Sequence, residues 1–379
     1  MRPSRSTVLA AAAASAALAL AGTSTAHGAG SPAAAAACIG SGNQNAINSA
    51  LQGQGAKAVL CPGAVFTLDS PVTFTAPNQV LETQGLPTDG TRATLRVNGS
   101  NGTAINGNGQ SGVVVHNIQA DGRFPELPRI GGGALIEMGN KGSNQTVQHI
   151  YAHDTRTWST LHFTEGTVTN NTPQCTGGQI LDNQLGPAGL AQTNMWSDGI
   201  SLACARTEVR GNTITDATDG AIVLFGATGS HVENNTVVAR TRNLLGGINL
   251  VDYAPVNGNY NGSVVQNNTI NAQSALIKVG IAMGPAVWTC STNIVYGAKV
   301  ANNTLTGGHM GYGFPVNGVK DFTVTGNVDK STHVGTPVAG CGGLPARPAG
   351  FQVAQQTAST LQSQYVNTSP LTYLLGLTA

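Results

Sequence analysis

The sequence predicts an all-β solenoid, a parallel β-helix, and three observations carry that expectation. A short phrase, Asn followed by alternating polar and apolar residues, recurs as Asp182-Asn183-Gln184, Gly211-Asn212-Thr213-Ile214, Asn234-Asn235-Thr236-Val237, Asn267-Asn268-Thr269-Ile270, Asn302-Asn303-Thr304-Leu305 and Gly326-Asn327-Val328. Its Asn residues at 183, 212, 235, 268, 303 and 327 are separated by 29, 23, 33, 35 and 24 residues. A period of roughly 20 to 35 residues signals stacked repeats rather than a sandwich. The composition agrees: 50 Gly, 40% hydrophobic and only 9% charged residues suit a turn-dense β protein.

Each coil of such a solenoid offers three strands too short to bury anything alone. Stacked coils share an apolar interior, so Val, Ile and Leu form ladders. Asn repeated at one turn of every coil can stack as well, because the rung spacing of about 4.8 Å matches the reach of an amide. These six Asn residues are therefore assigned to structure.

In chain order, residues 1–26 read as a secretory signal peptide. Arg2 and Arg5 precede an apolar run from Val8 to Ala21 and a Ser24-Thr25-Ala26 cleavage site. Residues 27–37 are Ala, Gly, Pro and Ser for the most part and read as a flexible mature N-terminus. Order is expected from Cys38. Asn43 is an N-cap candidate for a short helix with Ala46, Ile47, Ala50 and Leu51 at helical spacing, placed to cap the open end of the first coil. That coil follows as Ala58-Val59-Leu60, a Pro62-Gly63 turn and Val65-Phe66-Thr67-Leu68. Coils then run to about residue 343, with Phe124–Gly133 and Thr167–Gly178 as insertions at coil corners. Residues 344–379 form a C-terminal capping tail, helical where Phe351, Ala354, Ala358, Leu361 and Tyr365 share one side.

A net charge of +1 provides no field to gather nucleic acid or an anionic membrane. Six Cys in an exported chain suggest up to three disulfides, whose connectivity the sequence leaves open; pairing in chain order would join Cys38 with Cys61, Cys175 with Cys204 and Cys290 with Cys341. None has metal-site spacing.

The stretch AINSALQGQGAKAVLCPGAVFTL resembles the N-terminal cap and first coil of the pectin lyase-like right-handed parallel β-helix superfamily. With the Asn repeats, that likeness extends over roughly residues 38 to 340. It implies a right-handed coil and a superfamily that includes glycoside hydrolases, polysaccharide lyases, esterases, fructan-converting enzymes and non-catalytic adhesins. It does not by itself imply one reaction.

Aligning the coils on the Asn turn brings much of the scarce charge onto one stripe: Asp121, His153, Asp154, Arg156, Asp216, Asp219, Arg240, Arg242, Lys278 and His309. Such a column suggests a carbohydrate groove. Within it, Trp196-Ser197-Asp198-Gly199-Ile200 matches Ala217-Thr218-Asp219-Gly220-Ala221, and Asp198 precedes Asp219 by 21 residues, about one coil. Equivalent atoms on adjacent rungs lie about 4.8 Å apart, near the roughly 5 to 5.5 Å of retaining glycosidases. Asp216 would widen the pair toward inverting geometry. Asp-Gly is also a common turn in which Asp caps its own backbone, an alternative of equal weight. The matched turns are similar to polygalacturonase-type hydrolases, whose acids sit on neighbouring coils. The Asn-Thr-Asp, Asp-Asp and Gly-His-Gly signatures of that family are absent as such, and only Ile277-Lys278 echoes its Arg-Ile-Lys element.

The leading expectation is a secreted enzyme cleaving glycosidic bonds of a polysaccharide or oligosaccharide, with Asp198, Asp219 and Asp216 as the catalytic carboxylates and no cofactor. His153, Asp154, Arg156, His162, Glu165, Trp196, Arg240, Arg242, Asp252, Tyr253 and Lys278 are the expected substrate-binding residues, with Trp158 as a further stacking surface. Two rivals stand beside it. A lyase would use Arg240, Arg242 or Lys278 on a uronate-containing glycan, with calcium as a candidate cofactor. A non-catalytic solenoid would bind glycan without turnover.

Overall fold

The computed structural model describes residues 37–190, 193, 195–289 and 291–334. The chain divides into Met1–Ala37 and Cys38–Ala379, and the architecture belongs to the second unit. The expected signal peptide, the capping tail with its helix, and the Cys290–Cys341 pair lie outside the described residues.

Short strands of mostly two to seven residues pair in parallel with the strand one coil away, giving a right-handed parallel β-helix with three sheets of 10, 10 and 9 strands. The first sheet runs from Lys57–Leu60 to Thr323–Thr325, the second from Val65–Leu68 to Val328–Asp329, and the third from Val72–Thr73 to Met310–Tyr312. Alternation sends one side chain of each short strand inward. On the first sheet Val115, Val147, Ile180, Val209, Val232 and Val265 stand in register, all fully buried. Such β-branched residues suit a pleated surface, and each contributes about 1.5–3 kcal/mol by burial.

The Asn column stacks as the repeat implied. The backbone N–H and the Nδ2 of Asn183 both donate to Asn212 Oδ1, and the same pattern continues through Asn235, Asn268, Asn303 and Asn327. Each amide also donates to a carbonyl of an earlier coil, as Asn212 does to Ile180 at 2.8 Å. At the start, α1 (Gln44–Ala50) is capped by Asn43, whose side chain accepts from Asn45 N–H. The Cys38–Cys61 and Cys175–Cys204 disulfides form as expected. A second helix, α2 (Pro285–Trp288), was not anticipated and packs outside the third sheet with Val251, Val279, Ala282 and Tyr312.

The charged stripe is corrected by the structure. Asp154 and Asp216 have φ of 52° and 56°, and they occupy the corner after the second sheet rather than a groove. Asp tolerates left-handed backbone, and there Asp154 pairs with His153 while Asp216 accepts backbone N–H groups of the next coil, which is sufficient reason for acids at that turn.

Candidate active site

The outward face of the third sheet carries an acidic pocket of about 200 Å³. Trp158, Asp198, Asp219, Val223, Phe225, Asn249, Val251, Asp252 and Trp288 line it. Local backbone explains why. A Cβ on Gly199 would fall 2.7 Å from the core residue Ile214, and one on Gly247 would fall 3.0 Å from the core residue Ile270. These glycines thus face inward, immediately before inward-facing Ile200 and Ile248. Two consecutive inward residues leave Asp198 and Ser201 together on the outer face, where Ser201 Oγ donates to Asp198 Oδ2 at 2.7 Å.

The pairing of Asp198 with Asp219 as equivalent positions is corrected by one residue. Ile200 is in register with Ile222, so Asp198 stands opposite Gly220 and Asp219 opposite Ser197. Consequently Asp198 Oδ1 accepts the Gly220 N–H of the next rung at 2.8 Å. Gly220 is needed here because a Cβ would lie 2.1 Å from Val223 Cγ2 and 3.2 Å from Asp198 Oδ1.

Three carboxyls therefore meet in a pocket walled by Trp158, Phe225 and Trp288. Asp198 is 4% exposed, and burial followed by the charge of Asp219 pushes it well above the usual carboxylate range, against the bonds from Ser201 and Gly220. Burial raises Asp219 to about 6. Burial and then the charge of Asp219 raise Asp252 to about 7. The cluster is thereby brought toward neutral pH, the range in which carboxyls can exchange protons as acid and base.

Asp216 is not part of this group. Its Oδ1 accepts the backbone N–H of Arg240 at 2.7 Å, Thr241 at 2.9 Å and Arg242 at 3.3 Å, and its Oδ2 accepts Thr241 Oγ1 at 2.6 Å. Burial would raise its pKa, but these four bonds outweigh it and hold the carboxyl below its ordinary value. Asp216 caps a turn.

Of the expected binding residues, only Asp252 and the stacking candidate Trp158 line the pocket. His162 is on the same face, in register with Ser201, ion-paired to Glu137 at 3.2 Å and edge-on to Trp158 at 4.8 Å. Arg156 is a buried clamp, 1% exposed, donating to the carbonyls of Pro128, Gly99 and Asn101. Arg240 is exposed and bonds Gln273, while Arg242 bonds the Gly189 carbonyl and lies 3.8 Å from Asp154. Lys278, 2% exposed and lowered by burial to about 8, follows Leu245 in register and lies off the pocket lining. Glu165, Trp196 and Tyr253 are likewise outside it. His153 pairs with Asp154 at 2.7 Å and belongs with Asp121 to a corner cluster whose ligand-type atoms lie within 4.8 Å of one another. Asp121 is already engaged there by Arg96 at 2.9 Å and by the Arg123 N–H at 2.8 Å.

Asn249, Phe225 and Trp288 escaped the sequence reading. Only Asn249 left a trace, as the last residue of Gly246-Gly247-Ile248-Asn249, the phrase that answers Asp219-Gly220-Ala221-Ile222.

The fold and this pocket define a β-helix with an acidic cleft on one sheet. The family described as "Right handed beta helix region" matches residues 191–329. Comparison with the curated proteins finds no match. Among solved structures, the chain is similar to an alginate lyase from Paenibacillus sp. str. FPU-7, with TM-score 0.44, 12% identity and coverage of 78% of this chain and 99% of that one. It is also similar to the catalytic domain of a GH87 alpha-1,3-glucanase, with TM-score 0.40, 12% identity and coverage of 79% and 64%. The A-module of the Azotobacter vinelandii mannuronan C-5 epimerase AlgE4 gives TM-score 0.36, 10% identity and coverage of 84% and 96%.

Proposed function

We propose that the protein is a secreted glycoside hydrolase acting on a neutral polysaccharide, with Asp219 and Asp252 as its catalytic pair. The observation that carries this reading is the meeting of Asp198, Asp219 and Asp252 in one pocket walled by Trp158, Phe225 and Trp288, where burial raises Asp219 to about 6 and Asp252 to about 7. Aromatic faces stack on the apolar faces of sugar rings. Asp252 gives its proton to the glycosidic oxygen as the C–O bond breaks. Asp219 supplies the negative oxygen that attacks the sugar carbon or takes a proton from the attacking water. Asp198, fully buried and raised above its ordinary value, ionises less readily than Asp219 and leaves Asp219 as the main negative charge.

A neutral substrate follows from the lining. No Arg, Lys or His is among the described residues that line the pocket, and His162, which borders it through Trp158, is taken up by Glu137, so a uronate carboxylate would meet three acids without a counter-charge in the lining. The lyase reading loses support for the same reason, since Arg240 and Arg242 are engaged elsewhere and Lys278 is buried off the pocket lining. The Cys38–Cys61 and Cys175–Cys204 disulfides suit an oxidising compartment.

The test is incubation of the purified protein with neutral and uronate-containing polysaccharides, reading reducing ends, ultraviolet absorbance and product mass. New reducing ends on a neutral glycan, without the absorbance of an unsaturated sugar, are expected. Asp219→Asn and Asp252→Asn should each lower kcat by about 10²–10⁴-fold with the fold intact. Full turnover in both variants would remove the assignment, and unsaturated products would return the lyase reading.

A further inference from the structure

Asp252 stands where the chain leaves the third sheet. The regular register of Leu244–Leu250 ends at Leu250, opposite Met283, and Asp252 follows two residues later. Its backbone meets a phenol instead of a strand. Tyr260 Oη accepts the Asp252 N–H at 3.2 Å, lies 3.1 Å from the Asp252 carbonyl oxygen, and donates its proton to the Leu224 carbonyl at 2.6 Å.

Leu224 ends the strand Gly220–Leu224, which begins at the residue after Asp219. One hydroxyl therefore joins the strand that follows one catalytic carboxyl to the backbone of the other. Tyr260 is 0% exposed, and its ring lies edge-on to Phe322 at 6.3 Å, so the hydroxyl has little freedom to move. The loop between them is tied at its far side, where Asn257 Nδ2 donates to Asn171 Oδ1 at 2.8 Å and Asn259 Nδ2 donates to the Asn171 carbonyl at 3.3 Å. Asn171 sits in the turn between Val168–Thr169 and Thr172–Pro173, so an insertion from an earlier coil braces this one.

We propose that Tyr260 is a positioning residue for Asp252, its hydroxyl fixing where that carboxyl stands relative to Asp219. This rests on the reading of the pocket as a site of carboxylate catalysis. The titratable groups facing Asp252 are Asp219, Asp198 and Tyr260 itself. With the hydroxyl removed, the Asp252 backbone is released from Leu224 and the two carboxyls lose their fixed separation. A misplacement of that kind lowers kcat rather than substrate binding.

The experiment compares Tyr260→Phe with Phe322→Leu, which loosens the same packing and keeps the hydroxyl. Two quantities are read: kcat and KM on the polysaccharide that the parent cleaves, and the titration midpoint of the Asp252 carboxyl by carbon-13 NMR of Asp-labelled protein, assigned against Asp252→Asn. Tyr260→Phe should lower kcat about tenfold or more with KM little changed. It should also move the Asp252 midpoint by about half a unit or more. Phe322→Leu should move neither. Parental kcat and midpoint in Tyr260→Phe, or equal changes in Phe322→Leu, would overturn the assignment. Should the parent cleave no glycan, the proposed function alone fails, because the NMR midpoint reads the geometry without substrate. Should Tyr260→Phe not fold, Asn257→Ala frees the loop from Asn171. A shifted Asp252 midpoint then supports the proposal, and an unmoved one overturns it.

Discussion

A buried carboxyl that resists ionisation costs stability whenever pH forces the charge upon it, and Asp252 is the clearest instance in this chain. Its folded pKa is raised to about 7 from 3.8. The folded state therefore binds the proton more tightly than the unfolded chain. The resulting stabilisation is fully present below about pH 3.8 and is lost as pH rises through about 7. Asp252→Asn removes the charge and should stabilise the protein at pH 8 by on the order of 2 kcal/mol after allowance for solvent screening, with little change at pH 4. Calorimetry of parent and variant at both pH values tests this, and an equal difference at the two would sink it. The same residue shows what the sequence could convey. The Asp-Gly repeat exposed Asp198 and Asp219 because each stands before a glycine that the coil requires. Nothing local distinguished Asp216, whose carboxyl turned to three backbone N–H groups of the next coil. Asp252 was legible only as one polar residue among several, because its companions come from separate coils.

Strands this short are held by what repeats between them, and the Asn spine is the repeat most readable in the sequence. It was legible because a single amide per coil meets the amide of the next, so chemical identity and spacing recur together. The register of the third sheet was less legible. Paired inward residues there shift Asp198 and Asp219 by one position, and periodicity alone does not reveal such a bulge. The spine gives a graded prediction. Asn235 receives from Asn212 and donates to both Asn268 and the Val209 carbonyl, all within the interior. Asn235→Ala strands partners on two neighbouring rungs and should cost about 3 kcal/mol or more. Asn327, last in the column, receives from Asn303 and donates to the Val300 carbonyl, so Asn327→Ala should cost distinctly less. Denaturant melts of both variants settle the order, and equal losses would count against a cooperative spine.

A stack of coils needs something at its ends, because the final rung exposes both apolar interior and unpaired backbone. At the N-terminal end the chain supplies a substitute rung. Ile39 bridges Leu60 in parallel, and the Cys38–Cys61 disulfide pins that segment. Over the rest of the opening lies α1, whose side chains stand in for missing strand partners. Gln44 Oε1 accepts the Asp69 N–H, and Asn48 Oδ1 accepts the Thr73 N–H while its Nδ2 donates to the Pro71 carbonyl. Ile47 and Leu51 close the interior beneath it, both fully buried. Ile47→Ser should therefore act on the end of the stack rather than on its middle. The loss of buried surface amounts to about 3 kcal/mol, and the uncovered apolar end should associate with another copy, giving species that grow with protein concentration in light scattering. Because strand pairing links each coil to its neighbours, the tryptophans at 158, 196 and 288, three or more rungs away, should keep the parental fluorescence spectrum. Association with unchanged fluorescence is the outcome that fits a modular stack. A monomer that loses its tryptophan signal at the same denaturant concentration as its end would instead show a single cooperative body, in which the cap supports the distant pocket as strongly as it supports the first coil.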